Sequence, residues 1–128
     1  MSTLTISNLS DGTKTIATTN VTNGSAKSWS NFFQTDTQSF RDSLNCSSLT
    51  DNGTGASTLT YTSAFANANY CTTYGVRDGG GENDDRMLIG SDTDGYYTAT
   101  NQRLYCSAGS GTLNDAGYGF TSSFGDLA

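Results

Sequence analysis

Hydrophobic and polar residues alternate with a period of two along most of the chain, as in strands with one buried face. Thr3-Leu4-Thr5-Ile6-Ser7 alternates first, and Asp11-Gly12 supplies a turn. Residues 13–21 follow, closed by Asn23-Gly24, and residues 25–33 carry Trp29, Phe32 and Phe33. Asp-Gly and Asn-Gly between alternating segments signal hairpins, because type I′ turns need positive φ at both central residues. Phe40, Leu44, Cys46 and Leu49 form the next run, which ends at Asp51-Asn52-Gly53. Residues 58–62 (TLTYT) give the cleanest strand pattern; residues 65–69 break the alternation and residues 70–76 resume it. A polar glycine loop, RDGGGENDDR, occupies residues 77–86. Short strands at 87–90 and 96–100 flank a turn at 91–95, and strands at 103–108 and 117–124 complete the set. No segment of useful length has the 3.6-residue helical pattern, and no internal repeat is evident. Short strands roughly every 8–12 residues predict an all-β antiparallel sandwich, jelly-roll-like, in a single domain.

Composition refines this picture. Of 128 residues only 34% are apolar and 14% charged, so Ser, Thr, Asn and Gly dominate. Seven Tyr, six Phe and one Trp separate the chain from a disordered one and favour extended structure around a thin core. A formal charge of −6 and pI near 4.1 oppose nucleic-acid binding, which needs clustered Lys and Arg. No apolar run approaches the ~20 residues that span a bilayer, and the start MSTLTISNLSDG lacks the features of a secretory signal. Cys46, Cys71 and Cys106 are widely spaced, without a CxxC pair or any His, so no zinc site is expected. They read as small apolar residues buried on strands, consistent with synthesis in a reducing cytoplasm.

The absence of His removes Ser-His-Asp and Cys-His nucleophile arrangements and leaves carboxylate chemistry. Asp84-Asp85 and Asp92-x-Asp94 contain the residue type a glycosidase needs in pairs, but acids in glycine loops are ordinarily solvated turns. Asp92-Thr93-Asp94-Gly95 starts like a calcium loop and lacks the later ligands and bidentate Glu. Asp78-Gly79-Gly80-Gly81 has no following Lys-Ser/Thr and is no phosphate loop. No cofactor, metal site or catalytic residue is expected. Tyr96-Tyr97 and Tyr118 lie beside glycines and polar turns, where exposed tyrosines stack on sugars and bond hydroxyls. The alternative is a half-buried strand in which one Tyr of an adjacent pair points inward.

Two stretches carry a resemblance. SAKSWSNF at residues 25–32, then FRDSLNCSSLTDNGTG at residues 40–55 and Asn67-Ala68-Asn69-Tyr70, resemble a module of tailed-bacteriophage virion proteins. That module, found in tail-fibre-like and other appendage proteins, particularly of marine phages, reads AKxWxNF, an IRDSFNVSSITDNGTG-like run, a strand and ANY. The likeness covers roughly the first sixty per cent of the chain and fades beyond Gly75. Four positions depart from it. Ser30 replaces a β-branched or apolar residue, suggesting a differently packed edge. Cys46 replaces Val, and Ala56-Ser57 replaces Asp-Tyr. The module carries no catalytic residues.

The resemblance implies a non-enzymatic structural protein on the exterior of a virion, made in the host cytoplasm, with roles in assembly and host attachment. A chain of this length beginning with Met is expected to be a compact knob, spike or decoration rather than a fibre with its own shaft. Residues 1–24 are expected to form an N-terminal strand or hairpin segment that docks by strand addition, and residues 25–128 the sandwich. Expected partners are further copies of the chain, as a homotrimer, other virion proteins (capsid, portal, neck or tail) and a host-surface glycan or protein, but neither nucleic acid nor membrane. Receptor binding is assigned to variable loops, through Arg77, Asp78, Glu82, Asn83, Asp84, Asp85, Tyr96 and Tyr97. The alternatives are a capsid cement or head-decoration protein and a carbohydrate-active enzyme using paired aspartates. Within FRDSLNCSSLTDNGTG, Arg41-Asp42 is read as a local charge pair, Leu44, Cys46 and Leu49 as core contacts, and Asp51-Asn52-Gly53 as a hairpin turn.

Overall fold

The computed structural model of the chain describes residues 2–77, 86–91 and 95–128. Ten strands and one short helix follow in order: β1 (Asn8–Ser10), β2 (Thr15–Ala17), α1 (Thr18–Gly24), β3 (Ser28–Phe33), β4 (Ser39–Leu44), β5 (Cys46–Asp51), β6 (Ala56–Tyr61), β7 (Cys71–Arg77), β8 (Met87–Ser91), β9 (Asn101–Ser107) and β10 (Tyr118–Phe124). They build three sheets: β1-β2, β4-β3-β10-β7 and β5-β6-β9-β8. Every pairing between these strands is antiparallel, and none of the sheets closes into a barrel.

The two four-stranded sheets share one core. Alternation does the sorting: burial strictly alternates along β3 and β9 and nearly so along β10, as a pleated strand with one covered face requires. Phe32 from the first sheet meets Leu59, Tyr61, Leu88, Leu104 and Cys106 from the second, with Phe65, Tyr70 and Ala116 from connecting segments. Much of the inner surface is polar, and most of its groups are paired as burial demands, Gln102 Nε2 being an exception. Ser30 and Thr121 share a hydrogen bond at 2.7 Å. Gln34 Nε2 donates to Ser57 Oγ at 2.8 Å, and Tyr74 Oη donates to Gln102 Oε1 at 3.1 Å, crossing between sheets. Small residues make room for large ones. A Cβ on Gly119 would lie 2.3 Å from Phe32 Cζ, so the ring fills the space a side chain would occupy.

Several sequence expectations change. The first strand starts at Asn8, not Thr3. Residues 18–24 form a helix rather than prolonging β2, because hydroxyls bond back to the preceding turn: Thr22 Oγ1 donates to the Thr18 carbonyl at 3.1 Å and Ser25 Oγ to that of Val21 at 2.8 Å. Lys27 Nζ also donates to the Thr22 carbonyl, a basic group on the helix C-terminus. Residues 96–100 form no strand. The Thr98 hydroxyl accepts from the amides of Thr100 and Asn101, curling the chain into a turn, and only a Tyr97–Gln102 bridge remains. Ser30 sits on an interior strand at 3% exposure rather than at a packing edge. Of the cysteines Cys106 is buried, Cys46 half-buried and Cys71 exposed, and no disulfide joins them.

Residues 40–55 are not one strand and a turn. β4 and β5 belong to different sheets, and the chain switches at Asn45, whose φ is +56°. Its side chain holds that left-handed conformation: Oδ1 accepts from Ser63 N at 2.7 Å and Nδ2 donates to the Ser63 carbonyl at 3.0 Å. Leu44 therefore faces outward at 48% exposure, whereas Cys46 and Leu49 pack against the core as expected. Asp51-Asn52-Gly53 does turn the hairpin, with Asp51 Oδ1 accepting from Gly53 N at 2.8 Å. Gly55 has φ +67°, and a Cβ there would meet the Cys106 carbonyl oxygen at 2.5 Å.

Residues 2–24 stand apart from the core, because none of them is buried. Leu4, Ile6, Leu9, Ile16 and Val21 are all at least 40% exposed. Asp11 Oδ1 accepts from the amides of Thr13 and Lys14, which fixes the hairpin turn at Asp11-Gly12. The Lys14 and Thr13 amides hold the Asp11 carboxyl below its usual pKa.

Candidate functional site

Inward-facing Ser28, Ser30 and Phe32 leave Trp29, Asn31 and Phe33 on the outer face of β3. The same parity on β10 puts Tyr118, Phe120, Ser122 and Phe124 outside. Register then assembles rows across the sheet. Asp42, Asn31, Phe120 and Gly75 stand side by side, and Tyr118 pairs with Arg77. The outer face of one sheet is thus an aromatic surface, with Phe120 exposed and Trp29, Phe33, Tyr118 and Phe124 half-buried.

At one end of this face two guanidiniums converge on one ring. Arg77 Cζ lies 4.7 Å and Arg41 Cζ 5.1 Å from the Tyr118 ring centroid. Arg41 reaches there over Phe33, 5.4 Å away, and Phe33 packs on Tyr118 at 5.1 Å with the rings inclined by 49°. The ring quadrupoles attract both cations and hold their stems. Arg41 is therefore an aromatic-stacked residue and not the partner of Asp42, whose Oδ1 accepts from Ser43 N at 2.8 Å. Beside this corner opens a groove of about 530 Å³, lined among others by Phe33, Thr35, Thr54, Asn114, Asp115 and Tyr118. Asp115 braces it: Oδ1 accepts from Gly55 N at 2.6 Å, and its carbonyl accepts from Arg86 Nη1.

The predicted binding residues separate. Arg77 stands in this corner. Tyr96 lies with Arg103, whose Cζ is 4.7 Å from its ring, and Arg103 is on the outer face of the other sheet. Tyr97 turns inward, stacked on Tyr70 at 4.6 Å with its hydroxyl donating to the Tyr70 carbonyl at 2.8 Å, so one Tyr of the pair does point in. Asp78, Glu82, Asn83, Asp84, Asp85, Asp92 and Asp94 lie outside the described residues. Sequence reasoning noticed Tyr118 but missed Phe33, Arg41 and Phe120 as members of one face. The alternation of WSNFF and YGFTSSF grouped the residues of each strand face, but showed neither which face lies outside nor that the two strands are neighbours.

Other perturbed groups are structural. Tyr70 lies between Phe65 and Tyr97, nearly parallel at 4.2 and 4.6 Å. Burial pushes the Tyr61 hydroxyl up to about 12 and raises Tyr70, Tyr74 and Tyr97 as well. Burial likewise raises the Cys46 thiol, the opposite of what an attacking thiolate needs. Tyr70 also lines a polar cleft of about 290 Å³ with Asn23, Asn67, Asn69, Gly125 and Asp126, where residues 67–70 meet the end of α1. Among the described residues no three His, Cys, Asp or Glu side chains gather to hold a metal, and no helix is long and apolar enough to cross a membrane. No protein-family model, curated protein or solved structure matches the chain.

Proposed function

We propose that this chain is a non-enzymatic structural protein of a tailed-phage virion, a compact component of the particle exterior that serves assembly and host attachment. The two four-stranded sheets act as a β-sandwich, residues 2–24 as the docking arm and the outer aromatic face as the working surface. The observation that carries this reading is the contrast between the two parts: an arm with five exposed aliphatic side chains and none buried, and a body with its own core. A two-stranded ribbon of three-residue strands is marginal alone in water, so adding its apolar side chains to a partner stabilises both. The phage assignment itself rests on the resemblance of residues 25–55 and 67–70. A homotrimer accords with the exposed Leu44, which copies of the chain can cover.

A second reading, head decoration, is favoured by the apolar character of Leu44, Trp29 and Phe120, which suits contact with protein. Gold-labelled antibody against the chain distinguishes these on intact particles of the phage that encodes it. Label at the tail or its fibres supports the appendage, label over the head supports decoration, and particles free of label overturn both.

A further inference from the structure

We propose that the outer face of the β4-β3-β10-β7 sheet binds an acidic glycan. Arg41 and Arg77 take a sugar carboxylate, and Phe120 takes the C–H face of a pyranose ring. The setting rests on the exterior-surface reading above; the chemistry rests on the side chains.

Arg41 and Arg77 are held on one tyrosine ring, 5.1 and 4.7 Å from its centroid, without an ion pair to any carboxylate among the described residues. Both cations sit by the same ring, so an anion bound at either fork is attracted by the other as well. Guanidinium forks match carboxylates in bidentate geometry, and stacking has already restricted their stems, which lowers the entropy cost of capture. Convergent cations in a protein of net charge −6 provide local complementarity to an acid while the remainder of the molecule repels one.

Charge alone leaves the ligand class open, and the neighbouring row narrows it. Phe120 is the most exposed aromatic ring of the face, at 36%, and stands two residues from Tyr118, about 7 Å along the strand. A disaccharide spans that distance, so one sugar on Phe120 places a carboxylate at the arginines. Gly75 beside Phe120 carries no side chain to obstruct the ring. Asp42 and Asn31 complete the row with polar side chains. Aromatic platform, amide, carboxylate and paired guanidiniums together suit a polyhydroxylated acid. Asp42 on the same face disfavours a purely anionic strip such as a nucleic-acid backbone, which needs more clustered cations.

The test is a two-dimensional NMR titration of the isotopically labelled full chain with trigalacturonate, with maltotriose and tri-glutamate as controls. Trigalacturonate is expected to shift amides of Phe33, Tyr118 and Phe120. Affinity is expected to fall at least about tenfold in R41Q/R77Q and on raising salt. Phe120→Ser, a surface change, is expected to weaken binding with other resonances in place, which keeps the test sound if the double variant folds poorly. No shifts with trigalacturonate, shifts confined to other surfaces, or affinity indifferent to salt and to Phe120→Ser overturns the proposal. Equal binding of tri-glutamate at the same residues also overturns it, in favour of an acidic peptide. Label on particles with no uronate binding removes only the ligand class, whereas unlabelled particles remove the virion reading whatever the chain binds.

Discussion

The tyrosines show most clearly how individual residues stabilise so polar a core. Tyr61, Tyr70, Tyr74 and Tyr97 bring large apolar surfaces inside, and their hydroxyls find Ser123, the Asn101 carbonyl, Gln102 and the Tyr70 carbonyl. Burial raises all four above the ordinary tyrosine value. Unfolded tyrosines ionise near 10, while the folded ones keep their protons. Their contribution is therefore complete below about pH 10 and is lost as pH rises through the folded values, about 12 for Tyr61. The denaturation midpoint should fall steadily from pH 10 to 12, and Tyr61→Phe should shallow that slope. An unchanged midpoint across this window contradicts the burial of these hydroxyls.

Strands and turns were largely legible in the sequence, and the errors have identifiable causes. β6, β7, β8, β9 and β10 lie close to where alternation placed them, because each has one covered face and a polar sequence beyond its ends. Alternation failed to say which parity goes inside. In SWSNFF the apolar weight lies with Trp29 and Phe33, yet Ser28, Ser30 and Phe32 face the core. Pairing with a strand distant in sequence decides this: Ser30 needs Thr121, and Phe32 needs the gap over Gly119, both on β10. The same blindness hid the candidate site, since Arg41 and Tyr118 are distant in sequence and meet only through register. Local composition misled at residues 18–24, where Thr side chains that suggest a strand instead bond helix carbonyls. Residues 40–55 carry architecture: Asn45 moves the chain between sheets, and Gly55 closes the hairpin. Gly55→Ala should cost about 2–4 kcal/mol, combining a left-handed residue with an overpacked Cβ. Urea unfolding measures it, and a loss within experimental error means the turn is not locked as described.

At the scale of the whole molecule, the chain divides into a body that buries its own core and an arm that buries nothing. Removing residues 1–24 should leave the near-UV spectrum and cooperative unfolding of the body intact, because the backbone bonding that ties the chain's start into the two sheets begins at Lys27, whose amide bonds the Ser123 carbonyl at 2.8 Å. The same truncation should abolish incorporation into particles. A truncated chain that fails to fold, or one that still assembles, contradicts the role given to the arm.

That division leads to the measurement that addresses the central claim most directly, a single-particle reconstruction of the virion proposed to carry the chain. The account predicts density for the two-sheet body on the particle exterior, residues 2–24 lodged against a neighbouring virion protein, and the Trp29–Phe120 face directed away from that anchor. A particle without this chain, or with it enclosed inside the capsid, contradicts the account.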